Sequence, residues 1–273
     1  PPPPLPPPPP PPSQLVIATG KAPAAPWTTS VLPALGPPRP GVYMQGLVLL
    51  DAAGRTLYSR PLDPATVDAV QAWAAEPGRG HTLAAYCLPG GRGGPGAANP
   101  GTGPAAILAT ADDAAARRLT FYGEPPPAAV PGSLAAAAAA RGLDIYKLIA
   151  LGDPGGPLDD PATWDAARKA LDGLVTLTAA LPGMMEALPP GASKGEGLLR
   201  LTGELEVPPY QCMFVGDGAN DADALLLAGW GVAVANACEE ARVCADVVLE
   251  ESNDQGGLAV AIDRWVLGPR GLL

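Results

Sequence analysis

Val215-Gly216-Asp217-Gly218-Ala219-Asn220-Asp221 is the stretch on which the reading of this chain turns. The apolar run Met213 to Val215 has the pattern of a buried strand, and the glycines flanking Asp217 permit a tight turn at its end. Asn220 and Asp221 then open a helix. Two carboxylates and an amide are thereby brought within one turn, at the helix end that favours anions. Paired carboxylates beside open positions suit a hard cation that keeps its waters and shares a phosphate, which describes Mg2+. A Gly-Asp pair alone reads equally well as a turn followed by capping residues. The whole run, in its strand–turn–helix setting, favours metal and phosphate chemistry.

Downstream, the spacing predicts a strand at Gly231 to Ala235, a helix from Ala237, a short strand at Asp246 to Leu249 and a last helix ending near Val266. Upstream, Pro190-Gly-Ala-Ser193-Lys194-Gly195 opens a helix. A lysine at that end opposes the helix dipole and suggests an anionic partner, although a solvated surface lysine fits the same position. Near the start, Leu15 to Ala18 reads as a buried strand delivering Thr19-Gly20-Lys21. The Thr19 hydroxyl and the Gly20 backbone would hold a phosphate oxygen, or serve as turn residues.

Between these points strands and helices alternate. Val42 to Leu50 reads as one strand, with Asp51 to Gly54 turning it back into Arg55 to Tyr58. Further strands are expected at Thr82 to Leu88, Ala105 to Ala109 and Tyr146 to Leu151, and apolar runs follow around Val175 and at Met184 to Leu188. Helices are expected at Pro64 to Trp73, Leu134 to Arg141 and Pro161 to Leu174, with a Gly/Pro-rich surface loop over 89–104. The alternation predicts doubly wound α/β architecture, with ligands at the C-terminal ends of the strands. Residues 1–12 are proline except Leu5. Such a run adopts extended polyproline II, either as a disordered tail or as a ligand for a proline-recognition module.

The formal net charge of −10 argues against nucleic acid or an anionic membrane as partner. No apolar stretch approaches the ~20 residues of a membrane span, and the first residues lack the basic start and apolar run of a secretory signal. Four cysteines without a CxxC pair, and one histidine, exclude an ordinary zinc site. The cysteines read as reduced and packed, so an intracellular location is expected. Only four lysines are present, at positions 21, 147, 169 and 194.

Three sites, Ile17-Ala18-Thr19-Gly20, Ser193-Lys194-Gly195 and Gly216 to Asp221, occur in the order and form that resemble the haloacid dehalogenase superfamily, and more closely its Cof-type sugar-phosphate phosphatases of plant and algal kind. Asn236-Ala237, Ala245-Asp246-Val247-Val248 and Ser252-Asn253-Asp254-Gln255-Gly256 extend the resemblance to about residue 267. It implies a Rossmann-like core over 15–40 and 189–273, an α/β cap over 41–188 entered at Tyr43-Met44-Gln45-Gly46-Leu47, and a proline-rich tail over 1–14. It also implies roles: Asp217 as Mg2+ ligand with support from Asp221, Asn220 orienting the phosphate or its metal, and Thr19, Gly20 and Lys194 binding the phosphoryl group. The substrate would be a sugar phosphate or another small phosphorylated metabolite, and the location cytoplasm or plastid. The pump-type ATPases share the Gly-Asp-Gly-x-Asn-Asp loop but also carry membrane spans and an Asp-Lys-Thr-Gly-Thr motif, which do not occur here.

One family motif is not found. Asp-x-Asp-Gly-Thr, which supplies the nucleophile and the acid–base aspartate, should precede Thr19, yet the first 50 residues contain neither Asp nor Glu. Asp51-Ala-Ala-Gly-Arg-Thr56 imitates it but follows Thr19, lacks the second aspartate and suits a hairpin turn. The resemblance therefore implies an incomplete core without its central first strand. Two inner sheet edges would then be unpaired, at ~1–3 kcal/mol for each buried group. The expectation is an N-terminally shortened sequence of an enzyme that is inactive in this form. The alternative is a non-enzymatic relative that binds Mg2+ or a phosphorylated ligand and recruits a partner through its proline tail.

Overall fold

Ile17–Ala18 (β1) lies parallel to Gly41–Tyr43 (β2), and Val48–Leu50 (β3) and Thr56–Ser59 (β4) continue that sheet antiparallel. The computed structural model to which these elements belong describes residues 14–23, 33–34, 36, 39–76, 79, 81–90, 104–179 and 181–270. The proline run at 1–12 and most of the 89–104 loop lie outside the described residues. The single strand expected over Val42–Leu50 is two strands. Met44, Gln45 and Gly46 take left-handed backbone angles, with φ of 50°, 59° and 89°, and fold β2 back onto β3. Side chains are costly in that region, so tertiary contacts must hold the turn. A Cβ at residue 46 would run into the carbonyl oxygen of Ser193, so only glycine fits beneath the neighbouring helix.

Pro64–Ala74 (α1) starts where the sequence predicts, with proline in its first turn and Asp63 as N-cap accepting the Thr66 N–H at 2.9 Å. Its apolar face, Val67, Val70, Trp73 and Ala74, covers one side of a six-stranded sheet. The strands and helices of this unit are Thr82–Pro89 (β5), Ala106–Ala109 (β6), Ala114–Phe121 (α2), Ala128–Ala129 (β7), Leu134–Ala139 (α3), Leu143–Leu151 (β8), Pro161–Ala170 (α4), Thr176–Thr178 (β9) and Met184–Leu188 (β10). The spatial order is β7-β6-β5-β8-β10-β9. β5, and Ile145 to Leu151 of β8 apart from Lys147, are largely apolar because both faces of the sheet are covered. Helices pack on one face, and Tyr43, Met44, Leu47 and Val48 of the β2–β3 turn pack on the other. The sequence reading did not place α2 or β7. Residues 41–59, assigned from sequence to the inserted unit, are sheet partners of β1 instead, and the strands of the inserted sheet begin at Thr82.

The C-terminal part consists of Lys194–Glu204 (α5), Met213–Gly216 (β11), Ala222–Leu227 (α6), Trp230–Ala233 (β12), Glu239–Cys244 (α7), Val247–Val248 (β13) and Gly257–Ile262 (α8). Its three strands are parallel in the order β11-β12-β13, connected by α6 and α7, as in a doubly wound α/β fold. Ala18 of β1 packs into the same core as Phe214, Leu225, Val232 and Ala261. Among the described residues β1 hydrogen-bonds only to β2, and β11 only to β12, so the two small sheets share a core without sharing a ladder. The architecture is a Rossmann-like α/β core with an inserted α/β unit.

Candidate active site

The loop after β11 is organised by Asp221. This residue is buried, and its Oδ2 accepts the backbone N–H groups of Asp217 at 3.1 Å and Gly218 at 3.0 Å. Its Oδ1 accepts from Lys194 Nζ at 2.7 Å. Lys194 is the first residue of α5, where Ser193 caps the helix by accepting the Glu196 N–H. A buried cation at the unfavourable end of a helix needs a compensating anion, and here Asp221 provides it. A further tie joins the two helices, from the Gly195 N–H to Asp223 Oδ2 at 3.2 Å. Asp217 is exposed, and no described residue engages its carboxylate. Of the two aspartates expected to face a metal, Asp217 therefore has its oxygens open, while both oxygens of Asp221 are occupied inside the loop.

Thr19 and Gly20 meet this region through Gln45, a residue that the sequence places at the cap entrance without a role in the site. The Gln45 N–H donates to the Thr19 carbonyl at 3.2 Å, and Asn220 Nδ2 donates to Gln45 Oε1 at 3.3 Å. Gln45 thus bridges the turn after β1 and the loop after β11. Its left-handed backbone is what aims the side chain there. A Cβ at residue 20 would lie 2.8 Å from Gln45 Nε2, which explains the glycine.

The bridge continues into the inserted sheet. Gln45 Nε2 donates to Glu186 Oε2 at 2.9 Å, and Lys147 Nζ donates to Glu186 Oε1 at 2.9 Å and to the Gly20 carbonyl at 2.8 Å. Lys147 also stands 4.5 Å above the centre of the Tyr86 ring. Gln45, Lys147 and Glu186 are each at most 3% exposed, so every polar group has to be answered within the protein. Burial, reinforced by the charges of Glu124 and Glu186, keeps the Tyr86 hydroxyl protonated well above the ordinary phenol range. The signal that could have exposed this network is two buried-strand patterns each interrupted by one charge, Lys147 and Glu186.

Asp51 takes no part. Its carboxylate accepts the N–H groups of Ala53 and Arg55, both at 2.8 Å, and Arg55 Nε at 2.7 Å, all within the β3–β4 turn.

A family model described as haloacid dehalogenase-like hydrolase matches residues 142–262, the segment that contains Lys147, Glu186, Lys194 and the Asp217–Asp221 loop. That segment of the chain is therefore similar to the haloacid dehalogenase-like hydrolases. Among curated proteins, the chain is 39% identical over 128 residues to the chloroplastic endoribonuclease YBEY of Arabidopsis thaliana, covering 45% of this chain and 20% of that one. It is 48% identical over 63 residues to the phosphoglycolate phosphatase of Methanopyrus kandleri, covering 23% of this chain and 27% of that one. The chain thus spans about a fifth to under half the length of the curated relatives it matches. In fold, it superposes on a haloacid dehalogenase-like hydrolase from B. subtilis with a TM-score of 0.73 at 22% identity, covering 93% of this chain and 88% of that one.

Proposed function

We propose that this haloacid dehalogenase-like chain forms the phosphate-binding and substrate-covering part of a Mg2+-dependent phosphomonoesterase that acts on a sugar phosphate or another small phosphorylated metabolite. The observation that carries the reading is the linking of three separate motifs: Gln45 ties the Thr19–Gly20 turn to Asn220, and Asp221 of the same loop holds Lys194. Fixed donors of this kind, buried and oriented before a ligand arrives, suit charge that develops on phosphoryl oxygens. Thr19, Gly20, Lys194 and Asn220 would bind the phosphoryl group.

The donor chemistry fits Mg2+ through one carboxylate. Mg2+ is commonly held by one or two carboxylates with waters and phosphate oxygens completing its shell, and Asp217 offers such a carboxylate at the loop tip. Among the described residues there is no group of three or more potential metal-ligating side chains. In this role Asp221 orients the loop and Lys194 rather than donating to the metal. When bound, the ion would neutralise phosphate charge.

These 273 residues place no carboxylate before Asp51, so the proposal is that they bind a phosphorylated ligand and do not turn it over. A non-enzymatic role, with the proline tract recruiting a partner, is the second reading. The test is calorimetry with Mg2+ and inorganic phosphate, run beside an assay of phosphate release from hexose phosphates. Saturable phosphate binding that is abolished in Lys194→Met supports the site, whereas no binding overturns it. Turnover at rates typical of enzymes, ~1–10³ per second, would overturn the expectation of inactivity.

A further inference from the structure

Next to the Thr19–Gly20 turn, one buried carboxylate oxygen is not used by any of the chemistry above. Glu124 follows α2 and is 7% exposed. Its Oε1 accepts from Lys21 Nζ at 3.1 Å, while its Oε2 is buried and meets no donor among the described residues. An unpaired buried acceptor is unfavourable, and charge makes it more so. Lys21 is held at the same turn by its backbone N–H, which donates to Thr19 Oγ1 at 3.1 Å. Its ammonium carries three hydrogens. Among the described residues two are used, one to the Tyr122 carbonyl at 2.5 Å and one to Glu124 Oε1. The third remains on a side chain that is 29% exposed.

An unanswered acceptor and an unanswered donor therefore stand side by side, one residue beyond the turn proposed to hold phosphate. A hydroxyl group answers both at once, because it donates one hydrogen and accepts another. An alkyl group answers neither, and a second anion on the ligand would meet the charge of Glu124. We infer that Lys21 and Glu124 form a hydroxyl-selecting subsite for the part of the ligand remote from its phosphate, the hydroxyl donating to Glu124 Oε2 and accepting from Lys21 Nζ. The inference rests on the phosphate-binding reading above. It adds which residues choose the rest of the ligand, and it selects hydroxylated over carboxylated or purely alkyl phosphomonoesters.

The test is calorimetry on the full chain with Mg2+, using inorganic phosphate, glucose 6-phosphate, hexyl phosphate and phosphoglycolate. Sites that pair buried polar groups with a ligand hydroxyl can reject the analogue lacking it by ~10⁴–10⁵-fold. Here at least about tenfold tighter binding of glucose 6-phosphate than of hexyl phosphate is expected, with phosphoglycolate also weaker than glucose 6-phosphate. In Glu124→Leu and in Lys21→Met the hexose-to-hexyl ratio should fall to within about threefold of unity. Equal binding of the hexose and hexyl esters by the wild-type chain would overturn the inference while the phosphate site stands. Tighter binding of phosphoglycolate would overturn it as well. Failure of inorganic phosphate to bind would remove the phosphate-site reading, and this inference with it. The wild-type comparison decides the matter even if neither variant folds.

Discussion

Lys194 and Asp221 form a pair in which neither partner can be removed alone. With both side chains at most 10% exposed, Lys194→Met leaves a buried carboxylate without its cation, at a cost of about 3–5 kcal/mol. Urea denaturation should show that loss as a lower midpoint at unchanged slope. Cys87 offers a second check at this scale. Burial pushes its thiol up to about 12, so at pH 8 it should resist iodoacetamide in the native protein and react only once the chain is unfolded in denaturant. The residues legible in the sequence are those whose partners are near in the chain: Asp217, Asn220 and Asp221 sit in one loop. Gln45 was not legible as a site residue, because its partners Glu186 and Asn220 lie 141 and 175 positions away. Nothing in local spacing reports such contacts.

Among the elements, α1 shows a sequence signal and its physics agreeing. Asp63 accepts from both the hydroxyl and the N–H of Thr66, and the hydroxyl bond is the main reason its carboxyl titrates below the usual range. Asp63→Ala should cost ~1 kcal/mol near neutral pH. Because the folded-state value is depressed, this contribution is complete above the ordinary carboxylate value of ~4 and fades as pH falls through the lowered one. Melting of both proteins across that range should show the gap closing in acid. The β2–β3 turn teaches the opposite lesson. Val42 to Leu50 has the composition of one strand, and only packing beneath α5 explains three left-handed residues in its middle. Gly46→Ala should therefore destabilise by more than the ~1 kcal/mol of an ordinary glycine replacement, since the added carbon meets backbone that cannot yield. Differential scanning calorimetry of the variant would measure it. α2 went unseen because Ala114 to Phe121 lacks a sustained apolar period, and its two buried residues, Ala116 and Leu119, are too few to mark a face.

Across the whole molecule, the Lys147–Glu186 pair joins the inserted sheet to the core-side turns at Gly20 and Gln45. Lys147→Met alone should cost about 3–5 kcal/mol, and the double variant Lys147→Met with Glu186→Met should recover part of it, since no lone buried charge then remains. A double-mutant cycle in urea gives the coupling directly; additive losses would show that the pair does not act as a unit. The α/β alternation and the C-terminal parallel order were legible from periodicity alone. How the units divide was less so, because residues 41–59 resemble any hairpin and only the parallel pairing of β1 with β2 assigns them to a sheet. The grip of Lys147 on residue 20 falls on a main-chain oxygen, at a position where a Cβ would crowd Gln45. Codon changes at residue 20 can therefore add bulk but cannot alter the acceptor. Natural drift and laboratory libraries alike can adjust this joint only from the lysine side, and a saturation scan of residue 20 would record intolerance without revealing the bond.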